Sequence, residues 1–295
     1  MEPISVAFRR GAATESRHLV HAAAVHDGKL VAATGDPNLV TYFRSSAKPL
    51  QALPLVRARE DLDEAELAIA CASHQAEPAQ LEAVRSLLRR ARASEDDLEC
   101  GFDEGRPRER VFHNCSGKHA GFLALCRVRG WLPTSYRLPA HPLQRELVAE
   151  VSAAAGVRPE DMPLAMDGCG VVTFALPLER MAFAFSRLAS LEGAARILSA
   201  MRARPELVGG EHAADTALML ALPGWAAKRG GEGLLCALSP DGLGLALKVQ
   251  DGNPRAVRPA LRSFLARLQV ELGDDFARVP QENSRGEVIG EVSLE

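Results

Sequence analysis

The chain is 295 residues long, with 35 Lys and Arg against 38 Asp and Glu and a formal charge of −3. This near-balance argues against a nucleic-acid-binding or membrane-surface protein, either of which normally shows a basic excess or a basic face. Hydrophobic residues at 47% and charged residues at 25% belong to a globular chain, long enough for one large domain or for a domain with a sizeable insertion.

Residues 1–10 lack the apolar core of an export signal, and no run reaches the roughly 18 apolar residues of a membrane helix. A soluble, cytoplasmic protein with reduced cysteines is therefore expected. Residues 5–8 read as a short strand, and residues 19–25 and 30–34 flank Asp27-Gly28, a hairpin signal. Residues 43–51 lead into an apolar segment, to Val56, that reads as a helix. Two more helices are predicted over 63–72 and 78–93, and the charged, Gly-bearing stretch 99–110 reads as a surface loop. His113-Asn114-Cys115-Ser116-Gly117-Lys118 opens a helix to about Val128, followed by helices over 142–155, 173–187 and 191–203. Residues 226–237 and 243–249 are apolar, Gly-containing strands on either side of Pro240-Asp241-Gly242. Residues 254–272 have helical spacing, and 287–294 alternate as a final strand.

This order predicts an α+β fold in a single domain. Both chain ends, about 1–60 and 205–295, supply one antiparallel sheet flanked by helices, and about 61–204 form a mostly helical portion between them. Such a layout places a cleft at the boundary of the two parts.

Lysine occurs only at Lys29, Lys48, Lys118, Lys228 and Lys248, and arginine supplies the other positive charges. Either side chain serves on a solvated surface, but only lysine loses its proton when desolvated. Drift alone would also leave a few lysines. Lys29 belongs to the hairpin turn and is expected to be exposed, whereas Lys48, Lys118 and Lys228 fall in chemistry-bearing segments.

In Ser45-Ser46-Ala47-Lys48, residues three apart share a helix face, so a neutral Lys48 could activate Ser45 as a nucleophile. The same serines could simply cap a helix. Lys228-Arg229-Gly230-Gly231-Glu232-Gly233 opens a predicted strand, where a free backbone N–H could serve an oxyanion hole; a bulged strand entry would look alike. Cys115 and Cys169 each lie in a Gly-bearing turn, and two thiols meeting there could bind zinc with Lys118 or water. Paired cysteine spacing is lacking, so buried thiols are the alternative. Among the histidines, His74, His113 and His119 lie beside these motifs, while His18, His21, His26, His141 and His212 read as turn or surface residues. An early Ser-x-x-Lys joined to a late Lys-x-Gly resembles the layout of serine β-lactamases and penicillin-binding proteins.

Phe43-Arg44-Ser45-Ser46-Ala47-Lys48-Pro49-Leu50-Gln51, Ala72-Ser73-His74, His113 to His119 and Asp167-Gly168-Cys169-Gly170 together resemble the L-asparaginase II family of rhizobial-type, thermolabile enzymes. The likeness runs from Arg10-Gly11 and Glu15-Ser16 to residues 243–252. It implies a fold similar to serine β-lactamases and glutaminases, and hydrolysis of L-asparagine to aspartate and ammonia by a homodimer. It further implies Ser45 as nucleophile and Lys48 as its base, with Ser73 and Lys228 forming a second Ser-Lys pair that Lys248 could contest. Cys115, Lys118 and Cys169 would hold zinc, in a structural or substrate-positioning role. Asp167 would hold the substrate α-amino group, with Arg44 and Gly231 also in the substrate site and the N–H groups of Ser45 and Gly231 facing the oxyanion. Arg229 stands where related folds commonly carry Ser or Thr. Another Ser-Lys acyl hydrolase, acting on glutamine or a β-lactam, and a non-catalytic amino-acid- or zinc-binding relative are the rival readings.

Overall fold

The computed structural model describes residues 1–295 and opens on β1 (Ile4–Arg10), β2 (Ala13–His26) and β3 (Lys29–Thr34). The Asp27-Gly28 turn joins β2 to β3 as the sequence predicts, with His26 opposite an exposed Lys29. The short β4 (Val40–Tyr42) runs into a 3-10 turn, Arg44–Ala47, and on into α1 (Lys48–Gln51) and α2 (Leu53–Ala58). Next, α3 (Glu64–Ala70) starts on a capping box in which Asp63 and Glu66 each accept the other's backbone N–H. A cap of this kind contributes about 1 kcal/mol. Helices α4 (Pro78–Ala91), α5 (Ser116–Arg129) and α6 (Pro142–Ala155) follow.

Residues 173–187 depart from the expected helix. After β5 (Leu164–Met166), they divide into β6 (Val172–Pro177) and α7 (Leu178–Leu188). The first five residues of β6 are all buried, and an unbroken apolar run has the same pattern in a buried strand as in a buried helix. Then come α8 (Ala194–Ala203), α9 (Pro205–Gly209) and α10 (Ala214–Ala221), the last two unforeseen. The stretch 226–237 is also two elements, β7 (Ala226–Arg229) and β8 (Leu234–Leu238), paired with Lys228 opposite Cys236. The glycine cluster 230–233 is thus the turn between two strands, not the entry to one. The chain ends with β9 (Gly244–Val249), α11 (Val257–Ala266), α12 (Asp274–Ala277), β10 (Arg278–Glu282) and β11 (Val288–Leu294).

The large sheet has the order β10-β11-β1-β2-β9-β8-β7, with β3 also paired to β2, and every pairing is antiparallel. The two chain ends meet where Val6 lies opposite Leu294, which is the expected α+β layout. The middle portion is mostly helical, but its β5 and β6 join β4 in a second, three-stranded sheet. Helix α7 packs on β2, β8 and β9, and α11 on β1, β9 and β11. Consecutive residues Ala22, Ala23, Ala24 and Val25 are all buried, so β2 is covered on both faces in its inner half.

One close approach sets the geometry of the helical side. A Cβ on Gly117 would lie 2.2 Å from the Ile69 carbonyl oxygen, so the first turn of α5 rests directly on the end of α3. Ser73 follows α3 and Cys115 precedes α5, and this contact brings the two segments together. Gly117→Ala is expected to destabilise the protein by about 1–3 kcal/mol through overpacking, measured as a lower urea midpoint. An unchanged midpoint would show that the two helices can part at no cost.

Candidate active site

The 3-10 turn is held at its start by the Phe43 N–H, which donates to Phe174 O at 2.7 Å. Arg44 has φ +49°, a left-handed conformation that costs roughly 1–2 kcal/mol for a residue with a Cβ. Its N–H donates to Thr173 Oγ1 at 3.2 Å, and its Nε is ion-paired with Asp167 Oδ1. Asp167 Oδ1 also accepts from the Gly168 N–H at 2.8 Å. Burial opposes the Asp167 charge, but Lys118 and Arg44 outweigh it and lower its pKa. Neither Arg44 Nη1 and Nη2 nor Asp167 Oδ2 is taken by a hydrogen bond, so a donor fork and an acceptor stand side by side.

Ser45 follows Arg44 and is half-buried. Its hydroxyl makes no hydrogen bond in the protein, and neither does its N–H, an orphan of the first 3-10 turn. The Gly231 N–H is equally unpaired, whereas the preceding Gly230 N–H donates to Leu234 O. Ser46 ties the two segments together, since its hydroxyl donates to Lys228 O at 2.8 Å.

The lysines are placed differently from the pairing that the sequence suggests. Lys48 is 0% exposed. Its Nζ donates to Ala72 O and to Ser73 Oγ at 3.0 Å and lies 3.3 Å from Cys115 Sγ. The bond expected between Ser45 and Lys48 is absent, and Lys48 joins Ser73 instead. The Ser73–Lys228 pair is not formed either. Lys228, also 0% exposed, forms a salt bridge of 3.2 Å with buried Asp215 on α10 and donates to Arg229 O at 2.9 Å. Burial lowers the Lys228 pKa to about 8, with Asp215 pulling the other way and Lys48 and Arg229 adding repulsion. A carboxylate is a stronger partner for a buried ammonium than a hydroxyl, which is why Lys228 turns from Ser73. Lys248 does not contest the position, because its Nζ donates to Glu232 O at 2.6 Å and to Val249 O.

Cys115, Lys118 and Cys169 do converge. Lys118 Nζ lies 3.1 Å from Cys169 Sγ. The Cys115 thiol donates to Asn114 Oδ1 at 2.9 Å, and the Cys169 pKa falls well below the ordinary thiol value through its pairing with Cys115 and the Lys118 charge. Burial works against the Lys118 charge, but Cys169, Cys115 and Asp167 outweigh it and raise its pKa. No three His, Cys, Asp or Glu side chains cluster as metal ligands, so a metal here would depend on the Lys118 amine. The donor chemistry fits zinc, since bond lengths of about 2.3 Å to sulfur and 2.0 Å to nitrogen put tetrahedral S and N ligands about 3.5 Å apart.

Arg44, Ser45, Ser73, Cys115, Asp167, Cys169 and Gly231 all line one cavity of about 390 Å³. Part of its lining was unforeseen. Phe102, Asp103 and Arg106 come from the segment read as a surface loop, together with Gln75, His113, Asn114 and Arg229. The charges of that loop serve internal bonds. Arg106 donates to Phe112 O at 2.8 Å and to Gln75 Oε1 at 3.1 Å, and Asp103 accepts the Asn114 N–H at 2.8 Å. His18, read as a surface or turn residue, is 2% exposed and bridges Asp251 and Arg255, none of which lines the cavity.

The sequence matches the family model of L-asparaginase II over residues 6–294, and the chain belongs to that family, which places it among the amidohydrolases. A search of curated proteins finds no match. Among solved structures, Mglu in its native form aligns at 15% identity over 88% of this chain and 66% of that one, with a TM-score of 0.49. Mglu in its L-glutamate binding form aligns at 17% identity over 88% and 63%, with a TM-score of 0.49. A β-lactamase from Mycobacterium bovis aligns at 15% identity over 85% and 95%, with a TM-score of 0.39. The chain spans about two thirds of the length of the Mglu chains.

Proposed function

We propose that this protein is a cytoplasmic, homodimeric L-asparaginase that hydrolyses the side-chain amide of L-asparagine to L-aspartate and ammonia through a serine ester. The observation that carries the reading is the free Ser45 hydroxyl and two unpaired N–H groups, its own and that of Gly231, on residues that line one cavity with Ser73, which is bonded to Lys48. Free N–H donors next to a nucleophile suit the negative oxygen of a tetrahedral intermediate, and losing one such donor typically costs about 10²–10³ in rate. The Asp167 carboxylate oxygen not bonded to Arg44 would receive the α-ammonium group, and the Arg44 fork the α-carboxylate. Together they select a free amino acid over a simple amide.

In this mechanism the Ser45 Oγ attacks the amide carbon while its proton passes by way of Ser73 Oγ to Lys48. The same proton returns to the departing nitrogen, which leaves as ammonia. Water then attacks the ester, its proton passes along the same route to Lys48 and back to Ser45 Oγ, and aspartate is freed. Lys48 can accept a proton only when unprotonated. Its polar partners are Ala72 O, Ser73 Oγ and Cys115 Sγ. The bond from Lys48 to Ser73 supports a second reading, in which Ser73 is the nucleophile.

Cys115, Lys118 and Cys169 would hold zinc, which when bound supplies a Lewis-acidic charge to an anionic substrate group. Lys118 must then give up its proton, as a metal ligand requires.

Ammonia release from L-asparagine is expected to fall by about 10³-fold or more in Ser45→Ala, with glutamine as the parallel substrate. Activity that survives this change and vanishes in Ser73→Ala selects the second reading. Preferential turnover of glutamine or of a β-lactam would replace the substrate. Metal analysis of the purified protein is expected to give one zinc per chain, lost in Cys169→Ala. Metal-free wild-type protein would contradict the zinc assignment.

A further inference from the structure

Asp215 is a fully buried carboxylate with no part in the chemistry described above. It sits in the first turn of α10, where the helix N-terminus favours an anion and the Thr216 N–H donates to Oδ1 at 3.2 Å, and its partners from outside the helix belong to two consecutive residues of β7. Oδ2 accepts from Lys228 Nζ at 3.2 Å and from the Arg229 N–H at 3.0 Å, and Arg229 Nε lies 3.6 Å from Oδ1. Strand β7 is outermost in the sheet and pairs only with β8. The Arg229 N–H on its open edge therefore has no strand partner, and Asp215 supplies the missing acceptor.

From that anchor the contacts lead to the cavity from two directions. Two residues beyond Arg229 stands Gly231, whose N–H is unpaired. The Arg229 guanidinium reaches back to Ser73 O at 3.0 Å and Gly209 O at 3.1 Å, and the Ser73 N–H donates to Val208 O at 2.8 Å. The ring closes on Asp215 itself, since a Cβ on Gly209 would lie 2.4 Å from Oδ1. Only a glycine allows α9 to come so close.

We propose that Asp215 is a positioning residue for the reaction, a buried anion that locks the end of β7 so that the Gly231 N–H and, through Arg229, Ser73 are aimed into the same cavity. This role rests on the asparaginase reading, in which Gly231 and Ser73 act. Asp215, Lys48 and Arg229 are the charged groups acting on Lys228, and the thiols of Cys71 and Cys236 lie nearby as buried neutral groups.

The test follows the chain's five lysines by nitrogen NMR together with steady-state kinetics. Burial lowers the Lys228 pKa to about 8, so its wild-type titration is expected there. Asp215→Asn removes the charge that raises this value, so the titration moves lower. Arg229→Met removes a charge that lowers it, so the titration moves higher. Both variants are expected to lose about 10–100-fold in kcat with KM within about twofold. If Asp215→Asn fails to fold, Arg229→Met decides alone. A folded variant with unchanged kcat, or with the Lys228 titration unmoved, overturns the proposal. The titration needs no turnover, so a wild type silent on asparagine would sink the functional reading separately and leave Lys228 and the Arg229 and Gly231 amide signals to decide the positioning role. Amide signals unmoved in Asp215→Asn would then overturn it.

Discussion

Three lysines buried together impose the main constraint on this structure. Lys48 and Lys228 are 0% exposed and Lys118 is 3% exposed. A buried ammonium costs several kcal/mol unless it is paired and hydrogen-bonded. The protein gives each a different solution. Lys228 takes a carboxylate, Lys118 takes the sulfur of Cys169, and Lys48 takes a backbone carbonyl and a serine hydroxyl. The three partners come from α10, from the turn after β5 and from the segment after α3. Satisfying the lysines therefore requires the sheet and the helical portion to meet in one way, and the cavity lies at that meeting.

The different partners divide the chemistry. Lys228 is anchored on a carboxylate and serves as a fixed point of structure, whereas Lys48 is held by a carbonyl and a hydroxyl. Lys48 is the one of the three whose partners include a hydroxyl in the cavity. The left-handed Arg44 adds a second local cost at the same place, and such strained residues persist only where surrounding contacts over-determine them. Here Thr173 and Asp167 do so. The outcome is a rigid turn that presents Ser45 with its hydroxyl and N–H both unspent.

Local patterns were legible in the sequence because their physics is local. The Asp27-Gly28 hairpin, the helix starting near Asp63 and the meeting of both chain ends in one sheet follow from turn chemistry and periodicity. The scarcity of lysine marked Lys48, Lys118 and Lys228 as unusual, and the two Gly-bearing turns marked Cys115 and Cys169. What sequence could not give was the choice among partners. Asp215 lies only 13 residues from Lys228, but α9 and α10 had no legible boundaries, so no buried acid was available to compete with Ser73. The same holds for the 99–110 segment. Its charge density looks like solvation, yet Arg106 and Asp103 spend theirs on backbone groups at the cavity wall. The glycine cluster after β7 misled for a simpler reason, since apolar residues on both sides make a tight turn look like an interruption in one strand.

The central claim is that Ser45 forms a covalent bond with the acyl group of the substrate. Mixing the protein with L-asparagine, quenching in acid within the first turnovers and mapping the digested protein by mass spectrometry tests it directly. A β-aspartyl group on the peptide containing Ser45, absent when the substrate is omitted, is the predicted result. Steady ammonia release with the adduct on the Ser73 peptide instead, or with no adduct under conditions that trap serine esters, would contradict it.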